Sequence, residues 1–184
     1  MSYQTYLTEN PPMILDATCS YARIWPAHAT IRIDIRPETK PDKVMDNANT
    51  DFPDHYFDEI YYDPPHVIRR SQDRAWIQDH FERDRRRTGR TSPGFFERFG
   101  WWESKQVFLN NIDGVNKEFY RILKESGQLR IKISFEVGHK TRCITKDDFF
   151  SRMTNFRTIK DCITKSKSNL GKNEVHWLTM RPKP

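Results

Sequence analysis

Four aspartates close four apolar or aromatic runs. Asp16 follows Met13-Ile14-Leu15, Asp34 follows Ile31-Arg32-Ile33, Asp46 follows Lys43-Val44-Met45, and Asp63 follows the segment from Tyr56 to Tyr62. Asp63 is in turn followed by Pro64, Pro65 and His66. The second proline biases the first toward an extended backbone, which aims the Asp63 side chain and the Pro64 carbonyl in one direction. Two such oxygens can accept both hydrogens of an exocyclic amine. An amine held that way loses conjugation with its ring and gains nucleophilicity. Displacement at an electrophilic carbon would then need orientation and charge stabilisation but no enzyme nucleophile. The candidate catalytic residues are therefore Asp63, Pro64, Pro65 and His66. His66 has the chemistry to stack on a flat substrate or relay a proton, and equally the character of a polar residue at a loop mouth.

Asp34 lies 18 residues after Asp16, close to the spacing at which an acid ending a second strand accepts hydrogen bonds from ribose hydroxyls. Two carboxylate oxygens suit a vicinal diol. Asp16 is placed to hold an ammonium group directly or through water. Asp46 or Asn47 can read an adenine amino group, or can belong to a solvated loop. The first loop, Ala17-Thr18-Cys19-Ser20-Tyr21-Ala22, contains no glycine, whereas a dinucleotide pyrophosphate calls for a glycine-rich turn that lets backbone donors approach. A nucleoside ligand without pyrophosphate fits this loop better. The expected cofactor-binding set is Asp16, Ala17, Thr18, Cys19, Asp34, Ile35, Asp46 and Asn47.

Strands are needed to bring these acids to one edge. The sequence predicts strands over 13–18, 30–35, 43–46 and 56–62, with only a short helical crossover possible at 21–26. The paired prolines end the fourth strand, because proline has no donor for the ladder. Residues 69 to about 90 read as an exposed helix broken at Thr91-Ser92-Pro93-Gly94, followed by the aromatic cluster Phe95, Phe96, Phe99, Trp101 and Trp102. The clearest helix spans 111–124, with Val115, Phe119, Ile122 and Leu123 at helical spacing, Asn110 or Asn111 as cap, and Ser126-Gly127 at its end. An alternating strand over 129–135 follows. Next come a short helix over 147–153 begun by Thr145 or Lys146, and two strands over 158–164 and 174–180 joined by a Lys/Ser/Gly-rich loop. No repeat is visible, and the order of elements specifies a three-layer α/β sandwich.

The chain of 184 residues, 36% hydrophobic, fits one domain over 1–184, with 67–105 as a helical insertion. Its net charge of +6 is uneven: residues 1–65 hold 5 Lys/Arg against 11 Asp/Glu, and residues 139–184 hold 11 against 4. An acidic first third suits a cationic cofactor, and the basic remainder suits a polyanion or a merely solvated surface. Arg69, Arg70, Arg85, Arg86 and Arg87 are the candidate substrate-binding residues. Their interruption by Asp73, Asp79, Glu82 and Asp84 leaves an internal ion-pair surface as the other reading. Cys19, Cys143 and Cys162 are widely separated and read as reduced thiols, with no metal or disulfide pattern. No apolar stretch approaches the roughly 20 residues that cross a bilayer, and no leader is apparent. The expectation is an intracellular, cytoplasmic protein with no membrane partner.

Met13–Ala22, Thr30–Arg36, Lys43–Asp46 and Phe57–His66 together resemble the cofactor and catalytic segments of class I S-adenosylmethionine-dependent methyltransferases. Asp63-Pro64-Pro65-His66 resembles the Asp-Pro-Pro-aromatic loop of amino-methylating nucleic-acid members, with His66 where Tyr, Phe or Trp often stands. Gly171-Lys172 and His176-Trp177-Leu178-Thr179 resemble the end of small, often phage-associated members. The resemblance implies a Rossmann-like, mostly parallel sheet with an antiparallel C-terminal strand, and S-adenosylmethionine as cofactor. It implies donor binding by Asp16 and Asp34, an adenine-side role for Asp46, and amine contact by Asp63. It further implies a DNA or RNA substrate, with DNA adenine N6 slightly ahead, and a host-cytoplasmic setting if the source is viral. A protein or small-molecule methyltransferase, or a degenerate donor-binding or nucleic-acid-binding subunit, remains an alternative. A protein partner or homo-oligomer is compatible with all of these.

Overall fold

The short apolar runs do become strands. A computed structural model describes residues 11–20, 29–68, 100–137, 143–165 and 174–184. Its strands are β1 (Ile14–Asp16), β2 (Ile31–Asp34), β3 (Lys43–Val44), β4 (Phe57–Tyr62), β5 (Leu123–Ile133), β6 (Phe156–Lys165) and β7 (Glu174–Pro182). They form one sheet in the order β3-β2-β1-β4-β5-β7-β6. β1 to β5 pair in parallel, while β7 runs antiparallel to both β5 and β6. Among the described residues the α-helices are α1 (Lys105–Ile122) and α2 (Lys146–Phe150), with a 3-10 turn at Pro37–Thr39.

Strand alternation sorts the side chains into two faces. Ile60 and Tyr62 on β4, Leu129, Ile131 and Ile133 on β5, and Leu178 and Met180 on β7 are buried in one cluster with Phe108, Ile112, Val115, Phe119 and Ile122 of α1. Burying each such side chain contributes about 1.5–3 kcal/mol. Phe149 of α2 joins the same cluster, so both described helices cover this face. The opposite face carries Glu59, Tyr61, Arg130, Lys132 and Trp177, cross-strand neighbours by register. The crossover expected at 21–26 lies outside the described residues, as does the helix expected from Arg69 to Arg90.

The expected start of the long helix is corrected. α1 begins at Lys105, with Ser104 Oγ accepting the Val107 N–H at 3.2 Å. Asn110 and Asn111 therefore lie in its interior rather than at its cap. The apolar spacing runs back through Ile112 to Phe108, and Ser104 supplies the side-chain acceptor that a helix start requires. The far end is sharper than expected. Leu123 already pairs with Phe57, and a register irregularity separates that pair from Glu59 and Gln128. Gly127 sits in this irregular stretch, where a Cβ would lie 2.7 Å from Leu123 Cδ1 and 2.9 Å from the Lys124 carbonyl. At α2 the expected Thr145 cap is observed as a reciprocal box with Asp148.

The segment after β3 is fixed to α1. Arg121 donates to Asp54 at 2.6 Å and to the Phe52 carbonyl at 2.7 Å, while Glu118 accepts the Thr50 N–H at 2.9 Å. Gly114 makes the approach possible, since a Cβ there would stand 2.8 Å from Ala48 Cβ. Replacing Gly114 with Val should lower the stability measured by urea denaturation by about 1–3 kcal/mol. An unchanged midpoint would contradict the close seating of α1 on residues 46–50.

Candidate functional site

The glycine-free first loop is held by polar side chains from its neighbours. Thr18 N–H donates to Asp16 Oδ1 at 3.2 Å, Ser20 N–H donates to Asp34 Oδ2 at 3.0 Å, and Asp63 N–H donates to Thr18 Oγ1 at 2.7 Å. Ser20 adopts a left-handed backbone, φ 44°, a conformation that disfavours any residue with a Cβ by about 1–2 kcal/mol. The Asp34 carboxylate offsets that cost by accepting the Ser20 N–H. Through this contact the loop turns without the glycine that its conformation would otherwise select.

A cavity of about 530 Å³ opens beyond the C-terminal ends of β1, β2, β3 and β4, beside the first turns of α1. Its size falls within the range of about 300–1,000 Å³ found for small-molecule sites. It is lined by Ala17, Thr18, Asp34, Ile35, Asp46 and Asn47 from the end of β2 and the loops after β1, β2 and β3. Tyr62, Asp63, Pro65, Gly100, Trp101, Trp102, Val107, Asn110 and Asn111 also line it. Asp16 and Cys19, expected among the cofactor-binding residues, and Pro64 and His66, expected among the catalytic ones, do not line it. Asp16 lies buried behind the loop, and the Cys19 thiol, 4.0 Å from Thr39 Oγ1, is pushed up to about 11 by burial. Arg69, Arg70, Arg85, Arg86 and Arg87 lie outside the described residues.

Several contributors were not legible from residue type. Tyr62 Oη donates to Asn111 Oδ1 at 3.0 Å, Asn111 Nδ2 donates to Asn47 Oδ1 at 3.4 Å, and Asn47 Nδ2 donates to the Ala17 carbonyl at 3.2 Å. This chain ties β4, α1 and the loops after β1 and β3 into one wall. Tyr61 faces away from α1 and donates to Glu59 at 2.7 Å, which separates the two tyrosines as strand alternation requires. Trp102 donates its indole N–H to the Pro65 carbonyl and packs edge-on against Phe108. Gly100, at φ 72°, lies where a Cβ would stand 3.3 Å from Pro65. Arg36 was overlooked as well: its Nε and Nη2 contact Asp34 at 3.0 and 3.1 Å. With the backbone N–H groups of Ser20 and Arg36, the guanidinium fills the four acceptor positions of Asp34. A ribose diol reaches that carboxylate only where the guanidinium gives way.

The electrostatics centre on Asp63. Its side chain is 4% exposed, Oδ2 lies 3.1 Å from Lys132 Nζ, and Oδ1 is buried with no hydrogen-bond partner among the described residues. Burial pushes its carboxyl up to about 6 even though the Lys132 ammonium pulls it down. Asp16 is likewise pushed up to about 6, by burial first and then by the Asp63 and Asp34 charges, against the opposing Thr18 N–H. His66 is driven down to about 4 by burial and by Lys132, so at neutral pH its ring is uncharged. Lys132 was missed because it alternates with apolar residues on β5 like any outward-facing strand residue. Strand register was the available signal: Tyr62 pairs with Ile131, which puts Asp63 beside Lys132.

No family model and no curated protein matches the sequence. Solved structures match the fold. The PH0226 protein from Pyrococcus horikoshii OT3 is 12% identical, with a TM-score of 0.57 over 96% of this chain and 84% of that one. An S-adenosylmethionine-dependent methyltransferase from Methanosarcina mazei is 12% identical, with a TM-score of 0.55 over 94% and 92%. The chain has the class I methyltransferase fold. Geranyl diphosphate C-methyltransferase from Streptomyces coelicolor A3(2), solved with S-adenosyl-L-homocysteine, is 8% identical and gives 0.56 over 94% and 74%. Within the methyltransferase fold, the cavity lies beyond the C-terminal ends of the parallel strands, the crevice in which open α/β sheets bind ligands. Among the described residues no cluster of His, Cys, Asp or Glu could hold a metal ion, and no helix is long and apolar enough to cross a bilayer.

A carboxyl raised in the folded state stabilises the fold below its unfolded pKa, and that contribution is lost as the pH rises through the folded value. For Asp16 the window runs from about 4 to about 6. Asp16→Asn keeps an acceptor for Thr18 N–H and removes the charge. It should raise stability by about 1–3 kcal/mol near pH 7.5 and by much less near pH 4.5 in urea denaturation. An equal effect at both pH values would contradict this electrostatic picture.

Proposed function

We propose that the chain is an S-adenosylmethionine-dependent methyltransferase acting on an exocyclic amine of a nucleic-acid base. The observation that carries this reading is the Asp63 carboxylate, which lines the cavity with one oxygen fixed by Lys132 and the other without a hydrogen-bond partner among the described residues. An unpaired buried acceptor is costly, and a neutral amine offers the N–H it lacks. Asp34, Asp46 and Asn47, which line the cavity, fit a cationic nucleoside donor with no pyrophosphate, in keeping with the glycine-free loop. Asp34 fits the ribose once Arg36 has moved aside.

S-adenosylmethionine supplies an electrophilic methyl group on a sulfonium. Asp63 Oδ1 accepts one amine hydrogen and turns the nitrogen lone pair toward that methyl. With the donor bound, the amine nitrogen would form the new N–C bond as the C–S bond breaks, sulfur keeping the electron pair. The proton then lost from nitrogen passes to Asp63, whose value of about 6 leaves it ionised at neutral pH and able to receive a proton. The buried side chains of Tyr62 and Phe108 and the indole of Trp102 keep bulk water from that side of the site.

Topology supports the polyanionic acceptor. Residues 69–99 lie between Ile68 and Trp102, which pair beside each other, and Gly100 to Trp102 line the cavity. Residues 69–99 carry nine Arg against five Asp/Glu, so an Arg-rich segment is rooted next to Asp63. The Lys-rich connection between β6 and β7 starts at the Lys165–Glu174 pair, on the same sheet edge as the end of β5. Extra-helical bases present amines and phosphates together.

Purified protein with methyl-labelled donor should label single-stranded polynucleotide in preference to peptide or small-molecule amine pools. Asp63→Ala should lower that transfer by about 100-fold or more and leave donor affinity largely intact by calorimetry. Labelling confined to peptides or small molecules would reject the nucleic-acid acceptor, and undiminished turnover would reject Asp63.

A further inference from the structure

We propose that Lys132 is a positioning residue: its ammonium anchors Oδ2 of Asp63 from the neighbouring strand and so presents Oδ1 as the oxygen that meets the acceptor amine. This rests on the reading of Asp63 as the amine acceptor.

A carboxylate at a loop start can rotate about its last torsion, exchanging its two oxygens. Here a single contact distinguishes them, the 3.1 Å pair between Oδ2 and Lys132 Nζ. Both groups are withdrawn from water, with side-chain exposures of 17% for Lys132 and 4% for Asp63, so screening is weak and the pair is stronger than a surface one. Lys132 is itself held. It faces Trp177 across the β5–β7 ladder, with Nζ 5.8 Å from the ring centroid. The indole is fixed in turn by donation to Thr164 Oγ1 at 3.0 Å. From the other side, the Asp63 backbone is fixed by Thr18. β5, β6 and β7 thus reach the reacting atoms through one ammonium group, although none of them contributes a residue to the cavity lining.

The titratable groups around Asp63, among the described residues, are Asp16 at the end of β1, Tyr62 beside it, His66 on its own loop and Lys132 on β5. The Asp63 charge raises Asp16, and Tyr62 and His66 are uncharged at neutral pH. Lys132 is accordingly the group that holds Asp63 in its charged form against burial.

The test compares Lys132→Met and Lys132→Arg with the unaltered chain, with Lys132→Gln replacing the Met variant should the latter not fold. Carboxyl-labelled NMR reads the Asp63 titration without donor or acceptor. Removing the ammonium should move that titration to higher pH, and Lys132→Arg should keep it near its original position. With donor and polynucleotide present, Lys132→Met should lower kcat about 100-fold, with little change in donor Kd. The acid limb of the kcat profile should follow the shifted titration, and Lys132→Arg should recover most of the rate. An Asp63 titration unmoved by Lys132→Met, or full turnover in that variant, overturns the proposal. An unaltered chain that transfers no methyl while its Asp63 titration still depends on Lys132 upholds the anchoring and counts against the amine-transfer reading alone.

Discussion

Asp63 keeps a charge where burial disfavours one. Desolvation drives its carboxyl up, one ammonium from the adjacent strand draws it back, and a threonine hydroxyl from a third strand's loop holds its backbone. Each of these contacts comes from a different segment of the chain. The carboxylate can therefore exist in this state only if β1, β4 and β5 are in register to within a residue. A slip by one residue in β5 would replace Lys132 with an isoleucine and leave the charge uncompensated, at a cost of several kcal/mol. The sheet order and the polar site are in this sense one constraint.

The same economy appears on the other side of the cavity. α1 is driven onto the sheet by its apolar stripe, and Gly114 lets it approach Ala48 closely. That approach places Asn111 between Tyr62 and Asn47, and the resulting hydrogen-bond chain fixes the loop after β3 against the loop after β1. Arg121 and Glu118 fix the remainder of that loop. The packing energy resides in Phe108, Ile112, Val115, Phe119 and Ile122, and the polar residues of the same helix convert it into cavity shape.

Much of this was legible in the amino-acid order. Strand runs ended by acids announced a parallel sheet with a polar edge, because apolar runs of that length bury both faces and the acids must come out at the ends. Thr145, one of the two starts the sequence offers for α2, is the cap, and its reciprocal pairing with Asp148 is seen in the structure. The start of α1 was misplaced because Asn110 and Asn111 carry a capping signal as strong as that of Ser104, and only tertiary contact with Tyr62 reveals their use. The missing glycine in the first loop obscured how that loop turns. The answer lies in Ser20, whose left-handed backbone is supported by an acid distant in sequence. Lys132 and Arg36 went unnoticed for a common reason: each gains its meaning from a partner that only strand register or loop geometry supplies.

In the proposed reaction a methyl donor lies across Asp34 and Asp46 with its reactive centre toward Asp63. A crystal structure of the chain with S-adenosyl-L-homocysteine tests it most directly. The adenosine is expected between Asp34 and the Asp46-Asn47 loop, with the Arg36 guanidinium displaced from Asp34 and the sulfur facing Oδ1 of Asp63. A ligand bound elsewhere on the molecule, or an intact Arg36–Asp34 pair at saturating ligand, would contradict it.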